Sequence, residues 1–176
     1  DPTAPPNHGC YMPVEVSAPH GSVLNARKPA GVAAGNVETS QRVTDMCLSA
    51  LAPTLKSRIP AQSQGTMNNI LIGSANPRFS YYETMGGGAG AGPGWNGASG
   101  IQVNMTNTAN TPIEVLESTY PLVVERYELI DGSGGPGKYR GGKGIRRIIK
   151  IECDEASVTM LTERRKYAPQ GANGGE

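Results

Sequence analysis

The sequence predicts an α+β fold: strand-rich mixed sheets with one long amphipathic helix over about 36–51. Three observations predict it. Apolar and polar residues alternate in several short segments after residue 68, the period of a half-buried strand. Only one segment carries the 3.6-residue period of an amphipathic helix. The chain also holds 24 glycines and 14 prolines, about a fifth of its 176 residues. That is too many turn formers for a helical bundle and too few for low-complexity disorder. With one Phe and one Trp, the core must be built from aliphatic and Tyr side chains.

The elements follow in chain order. DPTAPPNHG is a proline-rich, extended lead-in. Tyr11 to Val16 suits an edge strand, because Pro13 cannot donate to a ladder, and Ser22 to Asn25 suits a second short one. Asn36 is placed to cap the helix and Glu38 to complement its dipole. Val43, Met46, Cys47, Ala50 and Leu51 recur on one helical face, which predicts that they are buried, and Pro53 ends the helix. Strands are expected at Ile70 to Ile72, Phe79 to Glu83, Ile101 to Met105, Pro121 to Ile130, Ile145 to Glu152 and Ser157 to Thr162. That gives seven to nine strands in a single domain, or a fragment of one, over 1–176.

Charge and composition exclude several classes. A net charge of +1 gives no global attraction to nucleic acid or a membrane surface. Neither a membrane-length apolar run nor a signal peptide is visible. Cys10, Cys47 and Cys153 have no CxxC spacing, the pattern of reduced thiols in a cytoplasmic protein. His8 and His20 lie in no metal-binding spacing, so no metal site is expected within the chain. Lys138, Arg140, Lys143, Arg146, Arg147 and Lys150 read as a solvated strand face or subunit contact. GSGGPGKY (132–139) follows a phosphate-binding loop for seven positions, but Tyr139 replaces the required Ser or Thr and Arg140-Gly141-Gly142 cannot open a helix. GGGAGA (86–91) fails as a dinucleotide fingerprint, because GPGWNG follows where a helix should begin.

The segment from Tyr81 to Glu117 carries the functional signal. Gly86, Gly87 and Gly88 let main chain approach a ligand where a side chain would obstruct it. Asn68, Asn107 and Glu114 supply donors and acceptors nearby. Glu83, just before the glycines, is the candidate proton acceptor. In an extended segment, Glu114 and Glu117 would fall on opposite faces and could not act as a carboxylate pair.

NHGCYMPVEVSAPHGSVLNARKP, GTMNN, YYETMGGGAGAG, NMTNTANTPIEVLE and YPLVVERYELIDGSGGPGKYRGGKGIRR, in that order over nearly the whole chain, resemble the hydantoinase B/5-oxoprolinase family. Met12 departs from the pattern, since members often carry Arg before the Pro. The resemblance implies the later portion of a hydantoinase B subunit. The missing N-terminal portion is where related acetone carboxylases place a divalent metal. It implies an ATP-dependent amidohydrolase for cyclic amides such as hydantoin, N-methylhydantoin or 5-oxoproline. ATP and magnesium would be bound by a hydantoinase A-type partner, and no cofactor by this chain. Asn68, Gly86, Gly87, Gly88, Asn107 and Glu114 then become pocket wall, with main-chain N–H groups facing a developing oxyanion. Two alternatives remain open: a subunit of an ATP-dependent ketone carboxylase, and a non-catalytic assembly module.

Overall fold

The computed structural model describes residue 3, residue 5 and residues 7–176. The lead-in reading over Asp1, Pro2, Ala4 and Pro6 lies outside the described residues. The chain divides into two compact units, Asp1–Ala33 and Ala34–Glu176.

In the first unit, the strand expected at Tyr11 to Val16 does not form. A single 3-10 turn spans His8–Cys10, with Asn7 accepting the Gly9 N–H on its side chain. Ser22 and Asn25 form one isolated bridge instead of a strand. Tyr11, Met12, Val14 and Val16 are all exposed, so no apolar face here drives strand pairing.

The second unit carries five strands and two helices. β1 (Asn69–Ala75) and β2 (Arg78–Thr84) form a hairpin, and β5 (Ser157–Leu161) adds to the other side of β1. The order is β2-β1-β5, all antiparallel. β3 (Leu122–Leu129) and β4 (Ile145–Ile151) make a second antiparallel pair with a register irregularity between Val124 and Arg126. α2 (Ile113–Thr119) leads into β3. The α+β class expected from the sequence holds. The strand count is lower than expected because, besides the two segments of the first unit, the 101–106 segment folds otherwise. The Thr106 hydroxyl accepts from the Val103 N–H at 3.0 Å and donates to the Val103 carbonyl at 2.8 Å. Asn104 takes a left-handed φ of 54°. A local side-chain bond of this kind competes with a ladder, and the apolar/polar alternation is broken there.

The core is small and set by strand parity. Ile72 faces Tyr81 across the hairpin, and both are 2% exposed, with Leu116 of α2 and Leu122 of β3 closing over them. Burying each such aliphatic side chain contributes about 1.5–3 kcal/mol. Tyr120 stacks obliquely on Phe79 and Tyr81 at centroid distances of 5.9 and 5.4 Å, within the range of favourable aromatic pairs.

The long helix occurs where expected but lies the other way up. A π-helical turn (Gly35–Thr39) runs directly into α1 (Ser40–Leu51). Ala34, not Asn36, is the N-terminal boundary residue, and it makes no side-chain cap bond. The buried positions are Val37 and the polar Glu38, Gln41 and Asp45, whereas Met46, Cys47 and Leu51 are exposed. At 100° per residue the two sets lie on opposite sides of the helix, so the periodicity is real and the buried side is the polar one. Its partners are polar too. Glu38 accepts from the Thr66 hydroxyl (2.9 Å) and the Met67 N–H (3.2 Å), and Gln41 donates to the Val103 carbonyl at 3.2 Å. Asp45 is ion-paired with Arg164 and, at 3.5 Å, with Arg42. Arg42 in turn meets Glu163 at 3.1 Å. A buried carboxylate without those partners would cost several kcal/mol, so the network decides which side of the helix faces inward.

Candidate active-site wall

The chain leaves β2 at Thr84 and enters the glycine segment. Gly86, Gly87 and Gly92 are buried, and their open faces are filled from within the chain: Gly86 by the Ile101 main chain, Gly87 by the Gln64 side chain and Gly92 by the Trp95 ring. Gly87 and Ile101 exchange both backbone hydrogen bonds, at 2.9 and 2.8 Å. The Gly88 carbonyl accepts from Gln64, the Ala91 carbonyl from Ala61, and the Ala89 carbonyl from Gly142. Ala89 donates to Ala98, Gly97 to Arg140 and Gly100 to Lys143. A Cβ added at Gly88 would overlap the Gly142 carbonyl, and one at Gly142 the Ala98 carbonyl. The glycines therefore make a slab of chain packed on chain, and the Gly87 amide is already engaged.

Two of the concavities that border the slab hold the predicted wall residues. One, of about 940 Å³, is walled by Asn68, Gly86, Gly87 and Gly88 together with the 132–144 and 168–176 segments. The other, about 680 Å³, is walled by Gly86, Gly100, Ile101, Gln102, the whole 107–114 segment and Tyr127. The predicted wall residues thus fall into two groups that share Gly86: Asn68, Gly87 and Gly88 in the first, Asn107 and Glu114 in the second. Glu114 and Glu117 are not on the opposite faces an extended chain would give them. They sit three residues apart on α2, neighbouring positions on a helix surface. Glu117 is occupied in accepting the Val124 N–H at 2.8 Å.

Glu83 lines neither concavity. Its side chain is 5% exposed and ion-paired to Arg147, whose own side chain is 1% exposed. One carboxylate oxygen accepts from Arg147 and from the Tyr81 hydroxyl, and the other accepts from the Thr111 N–H. A general base needs a lone pair within reach of the proton it removes, and both Glu83 oxygens are already taken by donors. Burial, reinforced by the hydrogen bond to Glu83, pushes the Tyr81 phenol well above its ordinary range, because both favour the neutral form.

Arg147 is the functional-looking residue that the basic-cluster reading placed wrongly. It is buried, while Arg146 and Lys150 on either side are half in solvent. Strand parity held the signal: Ile145, Arg147, Ile149 and Ile151 alternate with Arg146, Ile148 and Lys150, so Arg147 shares the inward isoleucine face. It lies opposite Tyr127 in the β3–β4 register, with its guanidinium 5.1 Å from the ring centroid, a cation–π contact. The Tyr127 hydroxyl donates to Asn110 at 2.7 Å, and Asn110 and Gln102 donate to the Thr84 carbonyl at 3.0 and 3.3 Å.

The second cleft can hold a small polar molecule by hydrogen bonding. Carboxamides, threonine hydroxyls, a phenol and one carboxylate line it, with no basic side chain among them. Among the described residues no group of three or more His, Cys, Asp or Glu could hold a metal ion. No helix among the described residues is long and apolar enough to cross a membrane.

Known proteins resemble this arrangement along nearly the whole sequence. The chain is 47% identical to 5-oxoprolinase 1 of Arabidopsis thaliana over 172 residues, covering 98% of this chain and 13% of that protein. It is 34% identical to a Pseudomonas sp. protein named for the B component of a D-/L-hydantoinase, covering 98% of this chain and 29% of the relative. Among solved structures, the ATP-dependent caprolactamase of Pseudomonas jessenii superimposes with a TM-score of 0.68 at 28% identity, over 84% of this chain and 28% of that one. The chain therefore spans less than a third of the length of these relatives. The family model for hydantoinase B/oxoprolinase matches residues 1–176, and the chain belongs to that family.

Proposed function

We propose that this chain is part of an ATP-dependent hydrolase that opens the C–N bond of cyclic amides such as hydantoin or 5-oxoproline. The observation that carries the reading is the family match over residues 1–176, joined by relatives named for oxoproline and caprolactam chemistry. The cleft beside Gly86 suits this role. Asn107 can pair with a ring carbonyl or N–H group, and Glu114 is the open carboxylate at the rim. Asn68, Gly87 and Gly88 line the neighbouring concavity instead. Glu83 serves the site by holding Arg147 and Thr111 rather than by taking a proton.

ATP is used by a hydantoinase A-type partner, which phosphorylates the ring carbonyl before the C–N bond breaks. The exposed apolar side of α1, with Met46, Cys47 and Leu51, is the seat for the further polypeptide of a family-length protein, of which this chain is 29% in the hydantoinase relative. The test is an assay of the full-length protein with its partner on hydantoin, 5-oxoproline and caprolactam, following ring-opened product and ADP. ATP-dependent ring opening is the expected result, and none on any of the three would overturn the reading. The 176-residue chain by itself is expected to be inactive.

A further inference from the structure

We infer that Arg147, Tyr127 and Asn110 are positioning residues, which together brace the 107–112 segment as a fixed wall of the cleft beside Gly86. The inference rests on the reading of that cleft as the place where a cyclic amide binds. The segment belongs to no helix or strand, and Asn107, Thr108 and Ala109 are exposed. Left alone, such a loop samples many conformations, and a ligand would have to order it on binding.

Three hydrogen bonds hold it. The Thr111 N–H donates to Glu83. The Asn110 carboxamide donates to the Thr84 carbonyl at 3.0 Å and accepts from the Tyr127 hydroxyl at 2.7 Å. The Thr84 carbonyl can only accept, so the Asn110 nitrogen must face it and its oxygen must face Tyr127. The Tyr127 ring is itself held from below by the Arg147 guanidinium, and Arg147 is paired to Glu83. The chain of contacts is closed: Glu83, Arg147, Tyr127, Asn110, Thr84 and back along β2 to Glu83. Its rigidity comes from the planar guanidinium, which stacks on one group while pairing with another, something a lysine ammonium cannot do.

Two variants of the full-length protein, assayed with its ATP-using partner on hydantoin, test the inference. Tyr127→Phe keeps the ring over Arg147 and deletes one hydrogen bond to Asn110. It is expected to raise KM about five-fold, the value of a hydrogen bond near 1 kcal/mol, while kcat stays within about two-fold. Backbone hydrogen exchange at Thr111, whose N–H is held by Glu83, should quicken by a similar factor, with the β1–β2 core unchanged. Arg147→Lys should give the same signature, larger in both readouts. Unchanged exchange at Thr111 in both variants would overturn the brace. Faster exchange with KM unchanged would overturn the link between the brace and substrate. If the unsubstituted enzyme opens no cyclic amide at all, the functional reading fails separately. Faster exchange in the variants would then still support the brace, and unchanged exchange would still overturn it.

Discussion

Around Ile72 a methyl group holds the chain together; around Gly142 a methyl group would force it apart. The hairpin and its cover are joined by side chains, with Ile72, Tyr81, Leu116 and Leu122 almost wholly removed from water. The region of 86–100 and 134–144 is joined mainly by main chain, carbonyl to amide, with Asn96 and Ser99 adding side-chain bonds to the Arg140 and Lys143 amides. The two regions meet at the end of β2, where Glu83 and Arg147 are buried together. The difference teaches that tolerance to substitution depends on which group forms the contact. Side-chain packing can relax around a lost methylene. Main-chain packing has no rotamer with which to make room for a gained one.

The comparison breaks first at the junction. Glu83→Ala leaves Arg147 buried without its carboxylate and should cost about 4 kcal/mol of unfolding free energy, measured by denaturant titration. Gly142→Ala comes next. Its new Cβ meets the Ala98 carbonyl and the Ala89 nitrogen, both main chain, and overpacking of this kind should cost about 3 kcal/mol. Ile72→Val removes one methylene from the side-chain core and should cost only about 1 kcal/mol. If Ile72→Val cost more than Gly142→Ala, the contrast between the regions would fail.

A smaller effect sharpens the picture at high pH. The raised Tyr81 phenol keeps its proton in the folded chain while the unfolded chain releases it near the ordinary value of 10.0. The folded state then binds more protons, so stability falls as pH rises through about 10. Tyr81→Phe should remove that part of the slope, read as the difference in melting temperature between pH 9 and pH 11. The smallest effect is expected at Gly35, where an added Cβ meets nothing and φ is not positive. Gly35→Ala should be neutral or stabilising by about 0.5 kcal/mol, visible as a slight rise in melting temperature. The same added methyl thus separates an open glycine from a slab glycine.

Much of the secondary structure was legible. β1 to β5 all fall within or around the alternating segments, because strand parity is a local property of the chain. The helix was legible from its period, but its inward side was not. Period gives the spacing of a face, and only the partners, here Thr66, Met67, Val103 and Arg164, say which face is buried. Arg147 was readable from its parity with Ile145, Ile149 and Ile151, although its charge argued for solvent. Nothing local in the sequence showed that Glu83, sixty-four residues away, would neutralise it.

The sequence by itself determined where the five strands and the long helix of the second unit run, and that the chain must be closely approached at Gly86 to Gly92, since backbone preference and the absence of a Cβ are written residue by residue. The tertiary structure alone decided what comes close there, which side of α1 turns inward, and that Glu83 is bound to an arginine instead of open to a substrate. These are long-range pairings of charge and hydrogen-bond donors, and their partners are chosen by the folded path of the chain.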